Sequence, residues 1–367
     1  MDEILPEADR IEGAPHPRET QHLFGQDRAA EAFLSAMASG RMHHGWLITG
    51  PRGVGKATLA WRIARFMLAG RQAPDQVQAD HLYMDPEEPT FRKTAALGEP
   101  RLTLIRRPYD TDKKKLKTAI TVAEVRKLNG FFHLSAADGG WRVAIVDAAD
   151  EMNTAAANAL LKILEEPPEK TLLILISHQP GRLLPTIRSR CRTLACEKLS
   201  ENDLGRALDS AGFTLPPETT AIAEIADGSA GDAIALVQAE GEALYSNIIE
   251  TLGTIPQMDR GRVLQLADAS AGRGAEATYG LTLKLAALAL NRMAKSGATG
   301  EARPNAAPNE SEIFARLAPN PDAGRKWAEL SQVLSSKTAH ARAVNLDPAS
   351  VILDMFLQIE ATAARAR

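Results

Sequence analysis

Cysteine is nearly absent: the 367 residues contain only Cys191 and Cys196. That excludes a disulfide framework and a four-thiolate zinc site. Aromatic residues make up 5% of the chain, against 44% hydrophobic overall, so the core must be aliphatic. No apolar run approaches the ~20 residues that span a bilayer. The longest candidate, Leu281 to Leu290, is short and carries Lys284. The opening Met1-Asp2-Glu3-Ile4-Leu5 is acidic and lacks the basic and apolar regions of a signal peptide. These absences predict a soluble, cytoplasmic protein. Charge of one sign is also missing: 43 Lys and Arg face 46 Asp and Glu, for a net charge of −3. That excludes a histone-like basic binder or an acidic tail, while leaving room for a local basic patch. At roughly 100–200 residues per domain, two or three domains are expected.

The pattern along the chain is that of an α/β protein followed by helices. Residues 1–19, polar and with Pro6, Pro15 and Pro17, predict a disordered lead-in. Ala29, Ala30, Phe33, Leu34 and Met37 recur at helical spacing, and Gly40 follows as a stop. Three short apolar strands are expected, at Gly45–Thr49, Arg142–Asp147 and Leu172–Ile176, separated by helices that include Thr154–Glu165. Such alternation predicts a parallel sheet covered on both faces. Residues 70–118, with five prolines and weak periodicity, read as an irregular insertion. Beyond residue 199 the pattern is helical, interrupted at 295–311 by a Gly/Ala/Pro/Asn-rich stretch that reads as a mobile loop.

One motif carries chemistry. Gly50-Pro51-Arg52-Gly53-Val54-Gly55-Lys56 follows a strand and opens a helix, the setting of a phosphate loop. Its glycines let backbone N–H groups converge on phosphate oxygens, and Lys56 neutralises charge. A glycine-rich turn without a ligand is the alternative. The next position should offer a hydroxyl to Mg²⁺, but it is Ala57, and Thr58 comes one residue late. Asp147 ends a buried strand, where it could hold Mg²⁺ through water, but the carboxylate expected directly after it is replaced by Ala148. Asp150 and Glu151 stand at the start of the next turn or helix and read as N-terminal charges that complement the helix dipole. Arg182, Arg188, Arg190 and Arg192 form a basic cluster, explained on residue type alone by a solvated loop or an ion pair with Glu197. Residues 101–118 carry seven Lys and Arg against Asp110 and Asp112. A phosphate-backbone contact is open there, but one tyrosine and no aromatic interleaving favour a solvated segment.

The order of these motifs resembles the AAA+ clamp-loader family, and more narrowly its delta-prime branch in bacterial DNA polymerase III. The resemblance rests on Gly50–Lys56, on Val146-Asp147-Ala148-Ala149-Asp150-Glu151-Met152-Asn153, on Asn158-Ala159-Leu160-Leu161-Lys162-Ile163-Leu164-Glu165-Glu166-Pro167-Pro168, and on Leu184-Pro185-Thr186-Ile187-Arg188-Ser189-Arg190-Cys191. It is detailed over about residues 22–236 and only architectural beyond.

The resemblance implies an AAA+ P-loop module at 20–199, a helical lid at 200–243 and an all-helical collar domain at 244–367. It makes Arg190 an arginine finger that reaches ATP on a neighbouring subunit. It also sets Gly231 where active relatives place a nucleotide-sensing arginine. With Ala57, Ala148 and Gly231 all lost to one reaction, the chain is expected not to hydrolyse ATP. Gly50, Gly53, Gly55, Lys56, Thr58 and Asp147 then form a vestigial nucleotide site of weak or absent affinity. Many delta-prime proteins carry a cysteine zinc module after the phosphate-loop helix; with no cysteine between Lys56 and Arg190, zinc is not expected. The implied role is a stator in a clamp loader within a DNA-directed DNA polymerase holoenzyme. Its implied partners are motor ATPase and clamp-opening subunits, and through them the sliding clamp and primed DNA. The alternatives are an active motor subunit of the same family and a P-loop nucleotide kinase.

Overall fold

The computed structural model describes residues 5–71, 78–133, 139–213, 220–272, 274–301 and 304–366. Residues 1–4 of the expected lead-in, 72–77 of the expected insertion and 302–303 of the expected loop lie outside them. The chain separates into two compact units, residues 1–215 with 228–232, and residues 216–227 with 233–367.

The first unit is a five-stranded parallel sheet. Its strands are β1 (Gly45–Thr49), β2 (Leu102–Arg106), β3 (Arg142–Asp147), β4 (Thr171–Ser177) and β5 (Arg192–Ala195), in the order β2-β3-β4-β1-β5. Every residue of β4 is buried, as a central strand covered on both faces should be. Side chains alternate between the two faces. Leu172, Ile174 and Ile176 join Trp46, Ile48, Val143 and Ile145 on the side of α1 (Asp27–Ala38) and α2 (Lys56–Leu68). Leu173 and Leu175 join Leu47, Ala144 and Val146 on the side of α3 (Val122–His133) and α4 (Thr154–Glu165). Asn153 caps α4, its Oδ1 accepting the Ala156 N–H at 2.9 Å.

Two expectations are corrected. Residues 70–118 are not simply an irregular insertion, because they supply the edge strand β2, paired in register with β3 from Leu102↔Val143 to Arg106↔Asp147. The strand escapes notice because Pro100 and Pro108 bracket it and only Ile105 is fully buried. A short helix, Pro89–Ala95, precedes it, and a two-residue antiparallel ladder, Tyr109–Asp110 with Lys115–Leu116, follows.

The lead-in is not disordered over its described residues either. His16 is fully buried, and Arg106 at the end of β2 binds Glu7 (Nη2–Oε1 2.6 Å) and Asp9. Arg18 also reaches Glu7, at 3.1 Å. A segment too polar to build a core is held by ion pairs.

The unit ends with α5 (Glu201–Ser210), capped by Ser200. The second unit is helical. It contains α6 (Thr220–Ala226), most of α7 (Ala230–Gln238), α8 (Gly241–Gly253), α9 (Arg260–Ala269), α10 (Glu276–Thr299), α11 (Glu310–Leu317), α12 (Pro321–Ala343) and α13 (Pro348–Ala366). Helices α10 and α12 cross closely at Gly297 and Gly324. A Cβ on Gly324 would lie 2.7 Å from the Ala294 oxygen. Near the end of the chain, Ile352, Met355 and Phe356 are core, whereas Val344, Leu346 and Leu357 are about half exposed. No helix among the described residues is long and apolar enough to cross a membrane.

Candidate nucleotide site and the Arg190 loop

The ends of β1, β3 and β4 converge where the strand order reverses, the usual ligand crevice of an open α/β sheet. The phosphate loop leaves β1 there and runs into α2. The buried Gln26 side chain clamps it, donating to the carbonyls of Val54 (2.9 Å) and Glu197 (2.8 Å).

The loop's polar groups are turned onto the chain itself. Lys56 is 3% exposed, and its Nζ donates to the carbonyl of Gly50 at 2.8 Å and to that of Pro51. The Gly231 N–H donates to the Gly53 carbonyl at 3.1 Å. These two glycines touch so closely that neither tolerates a side chain. A Cβ on Gly53 would lie 2.2 Å from Ser229 Oγ, and one on Gly231 would lie 2.8 Å from Ile11 Cδ1 and 2.9 Å from the Gly53 Cα. Gly53 also holds a φ of +75°, which L residues rarely adopt. Thr58 is buried in the first turn of α2.

The electrostatics follow from burial. Burial pushes the Lys56 ammonium down to about 8, opposed by nearby Cys196, Asp147 and Asp150. It pushes the Asp147 carboxyl up to about 7, with Asp9 adding to the rise and Lys56 opposing it. Burial alone would also raise Asp9, but His16 and Arg106 outweigh it and hold that carboxyl below its usual range.

Of the turn or helix expected to start at Asp150 and Glu151, the structure has the turn. They sit in the short turn Ala149–Glu151 before α4. Asp150 accepts the His178 N–H at 2.9 Å, and Glu151 binds Arg52 (3.2 Å) and Arg107 (2.6 Å). Their role is to tie the loop, β2 and β4 together.

Sequence reasoning missed Asp9, Ile11, Ser177 and His178. Among the described residues, Ser177 Oγ and His178 Nδ1 are buried without a hydrogen-bond partner, and burial beside Lys56 and Arg52 pushes His178 down to about 4. The available signal was the polar pair ending the apolar run of β4.

Arg190 lies elsewhere, after the short helix Pro185–Arg188. Its side chain is 37% exposed; Nη2 meets Glu165 Oε1 at 2.9 Å and Nη1 donates to the Thr186 carbonyl at 3.1 Å. The ion pair is with Glu165 rather than Glu197, which pairs with Arg28. Cys191 and Cys196 have thiols pushed up to about 12 by burial, as unreactive packing groups do.

Residues 25–200 match the family described as "DNA polymerase III, delta subunit". A DNA polymerase III subunit delta' from Pseudomonas aeruginosa is 38% identical over 171 residues, 45% of this chain and 47% of that protein. A subunit delta' from Bacillus subtilis is 31% identical over 176 residues, 47% of this chain and 48% of that protein. The chain spans about half the length of these curated relatives. A DNA polymerase III gamma subunit-related protein from Thermotoga maritima superposes with a TM-score of 0.39 at 15% identity, covering 91% of this chain and all of that one.

Proposed function

We propose that this chain is a structural, delta-prime-like subunit of a bacterial clamp loader. It acts as a stator beside motor ATPase and clamp-opening subunits, in an assembly that spends ATP to place a sliding clamp on primed DNA. The chain itself does not turn over ATP. It offers Arg190 to the nucleotide of a neighbour, where a guanidinium can bridge phosphate oxygens at two points.

The observation that carries this reading is the contrast between two sites. The phosphate loop is engaged by its own chain through Lys56 and Gly231. Arg190 stands at the surface, fixed by one carboxylate and one carbonyl. The residues at Gly50–Thr58 and Asp147 fit Mg-ATP poorly: the lysine is turned onto loop carbonyls, the metal-binding hydroxyl is missing at Ala57, and a sensing arginine at position 231 has no room.

The test is a reconstituted complex carrying Arg190→Ala, with Arg182→Ala as a basic control on the same loop. Arg190→Ala should assemble normally and lose DNA- and clamp-stimulated hydrolysis at the adjoining site. An arginine finger supplies about 10³–10⁵ in rate at the site it serves. Because other ATP sites in the complex keep their own fingers, clamp loading should fall more than total turnover. Equal, near-wild-type behaviour of the two variants would make Arg190 an ordinary surface charge.

A further inference from the structure

Glu165 is the last residue of α4, and Glu166 follows it as the cap. Two carboxylates at a helix C-terminus oppose the negative end of the helix dipole, so helix stability does not explain them. Among the described residues, Arg190 is the one member of the cluster Arg182, Arg188, Arg190 and Arg192 with a carboxylate partner, and that partner is Glu165. Both ends of the pair start from fixed backbone. Pro167 and Pro168 stop α4 two residues beyond Glu165. The Arg190 N–H is bonded to the Ile187 carbonyl at 3.1 Å. Only the side chains are free to exchange partners, and both are substantially exposed, Arg190 at 37% and Glu165 at 50%.

We propose that Glu165 is a positioning residue that parks Arg190 on its own subunit until the phosphates of a neighbour's nucleotide displace it. The inference rests on the reading of Arg190 given above. Phosphate groups carry more charge than one carboxylate and take the guanidinium in a two-point contact. The exchange therefore favours nucleotide, with Glu165 setting a modest threshold. An exposed ion pair is worth up to a factor of about five, which suits a latch that must yield.

The experiment is steady-state ATP hydrolysis by the reconstituted complex, with and without primed DNA and clamp, as a function of ATP concentration. The variants are Glu165→Ala, Glu165→Gln, Glu166→Ala, Arg190→Ala and the double Glu165→Ala/Arg190→Ala. Glu165→Ala and Glu165→Gln should lower the half-saturating ATP concentration and raise unstimulated hydrolysis, each by up to about five-fold at low salt. The stimulated maximal rate should stay unchanged. Glu166→Ala, with the same charge change one residue away, should match wild type. Near 1 M salt the screening length falls to about 3 Å, so wild type should approach the Glu165 variants. In the double variant the effect of losing Glu165 should vanish.

The latch is overturned if the Glu165 variants match wild type while Arg190→Ala is impaired. It is equally overturned if the Glu165 effect survives in the Arg190→Ala background, or if Glu165→Ala lowers the maximal rate with no change in half-saturation. If Arg190→Ala itself is unimpaired, the finger reading fails and the latch with it, an outcome distinct from the other three.

Discussion

The Gly231 N–H reaches the carbonyl of Gly53 at 3.1 Å, and so the start of α7 closes on the phosphate loop. This contact needs the absence of a side chain at both positions. An arginine at 231 and this loop conformation therefore exclude one another. Gly231→Arg should lower the melting temperature rather than recover a nucleotide sensor, because its Cβ would meet the Gly53 backbone and Ile11. Wild-type chain titrated with ATP should show weak binding at most, unchanged by Mg²⁺, and no turnover. A strong Mg²⁺ enhancement with turnover would sink the stator reading.

Asp147 should leave a mark on stability against pH. Its carboxyl is raised to about 7 in the folded chain from an ordinary value of 3.8. The folded state therefore holds a proton that the unfolded state has released. The resulting stability is fully present below about pH 4 and is lost as pH rises toward 7. Asp147→Asn removes the titration. The stability of wild type relative to this variant should fall between about pH 4 and 7 and then level off, with a slope of up to about 1.4 kcal/mol per pH unit. Glu7, Asp9 and Glu99, which are held low, act in the opposite sense but cancel in the difference. Urea unfolding across the range measures it; a flat difference would place Asp147 in contact with water.

Arg106 holds the N-terminal segment by pairing with Glu7 and Asp9, and it also lies in register with Asp147. Arg106→Ala leaves the buried Asp9 side chain without its guanidinium, so residues 7–16 should detach. Hydrogen exchange should accelerate there while β3 and β4 keep their protection. With Asp9 gone, Asp147 loses one cause of its raised pKa, and its titration midpoint should move down. Unchanged exchange in residues 7–16 would show that Ala14 and His16 suffice to hold the segment.

The legible parts of this fold are those where one local signal decides the outcome. The apolar run of β4, the strand–glycine loop–lysine–helix succession at 45–68, and the asparagine-capped α4 can each be read from neighbouring residues. The edge strand β2 could not be read so, because an edge strand is half exposed and needs little hydrophobicity. The segment around Asp9 and His16 could not either, since its partners, Arg106 and the end of β3, are roughly 90 to 140 residues away. Ala57, Ala148 and Gly231 were recognised as losses, yet only the structure brings Gly231 against Gly53 and sets Ile11 beside Gly231. For Arg190, residue type suggested Glu197; the actual partner, Glu165, depends on how α4 packs beside the 185–188 turn.

The helical unit offers a test of its own. Glu310 is 1% exposed and Arg292 5%. Glu310 Oε1 accepts from Tyr245 Oη at 2.6 Å and from Arg292 Nε at 2.9 Å, and Oε2 accepts from Arg292 Nη2 at 3.2 Å and the Ala306 N–H at 2.6 Å. Arg292 also donates to Glu224 at 3.2 Å and to the Pro304 carbonyl at 2.7 Å. The cluster thus joins α6, α8, α10 and α11 with its polar atoms paired. Glu310→Ala would leave the buried guanidinium with only the Glu224 carboxylate and the Pro304 carbonyl, and the tyrosine hydroxyl without its acceptor. Removing one partner of a buried pair costs about 3–5 kcal/mol when the charge left behind is uncompensated, which is an upper bound here because Glu224 remains on Arg292. The loss should appear as faster hydrogen exchange across α8, α10 and α11, with the sheet of the first unit unaffected. Replacing both charges, as in Arg292→Met with Glu310→Leu, removes the desolvation cost along with the attraction and should recover most of the loss. If the double variant is no better than Glu310→Ala, the hydrogen bonds to Tyr245 and Ala306, rather than the ion pair, hold these helices together.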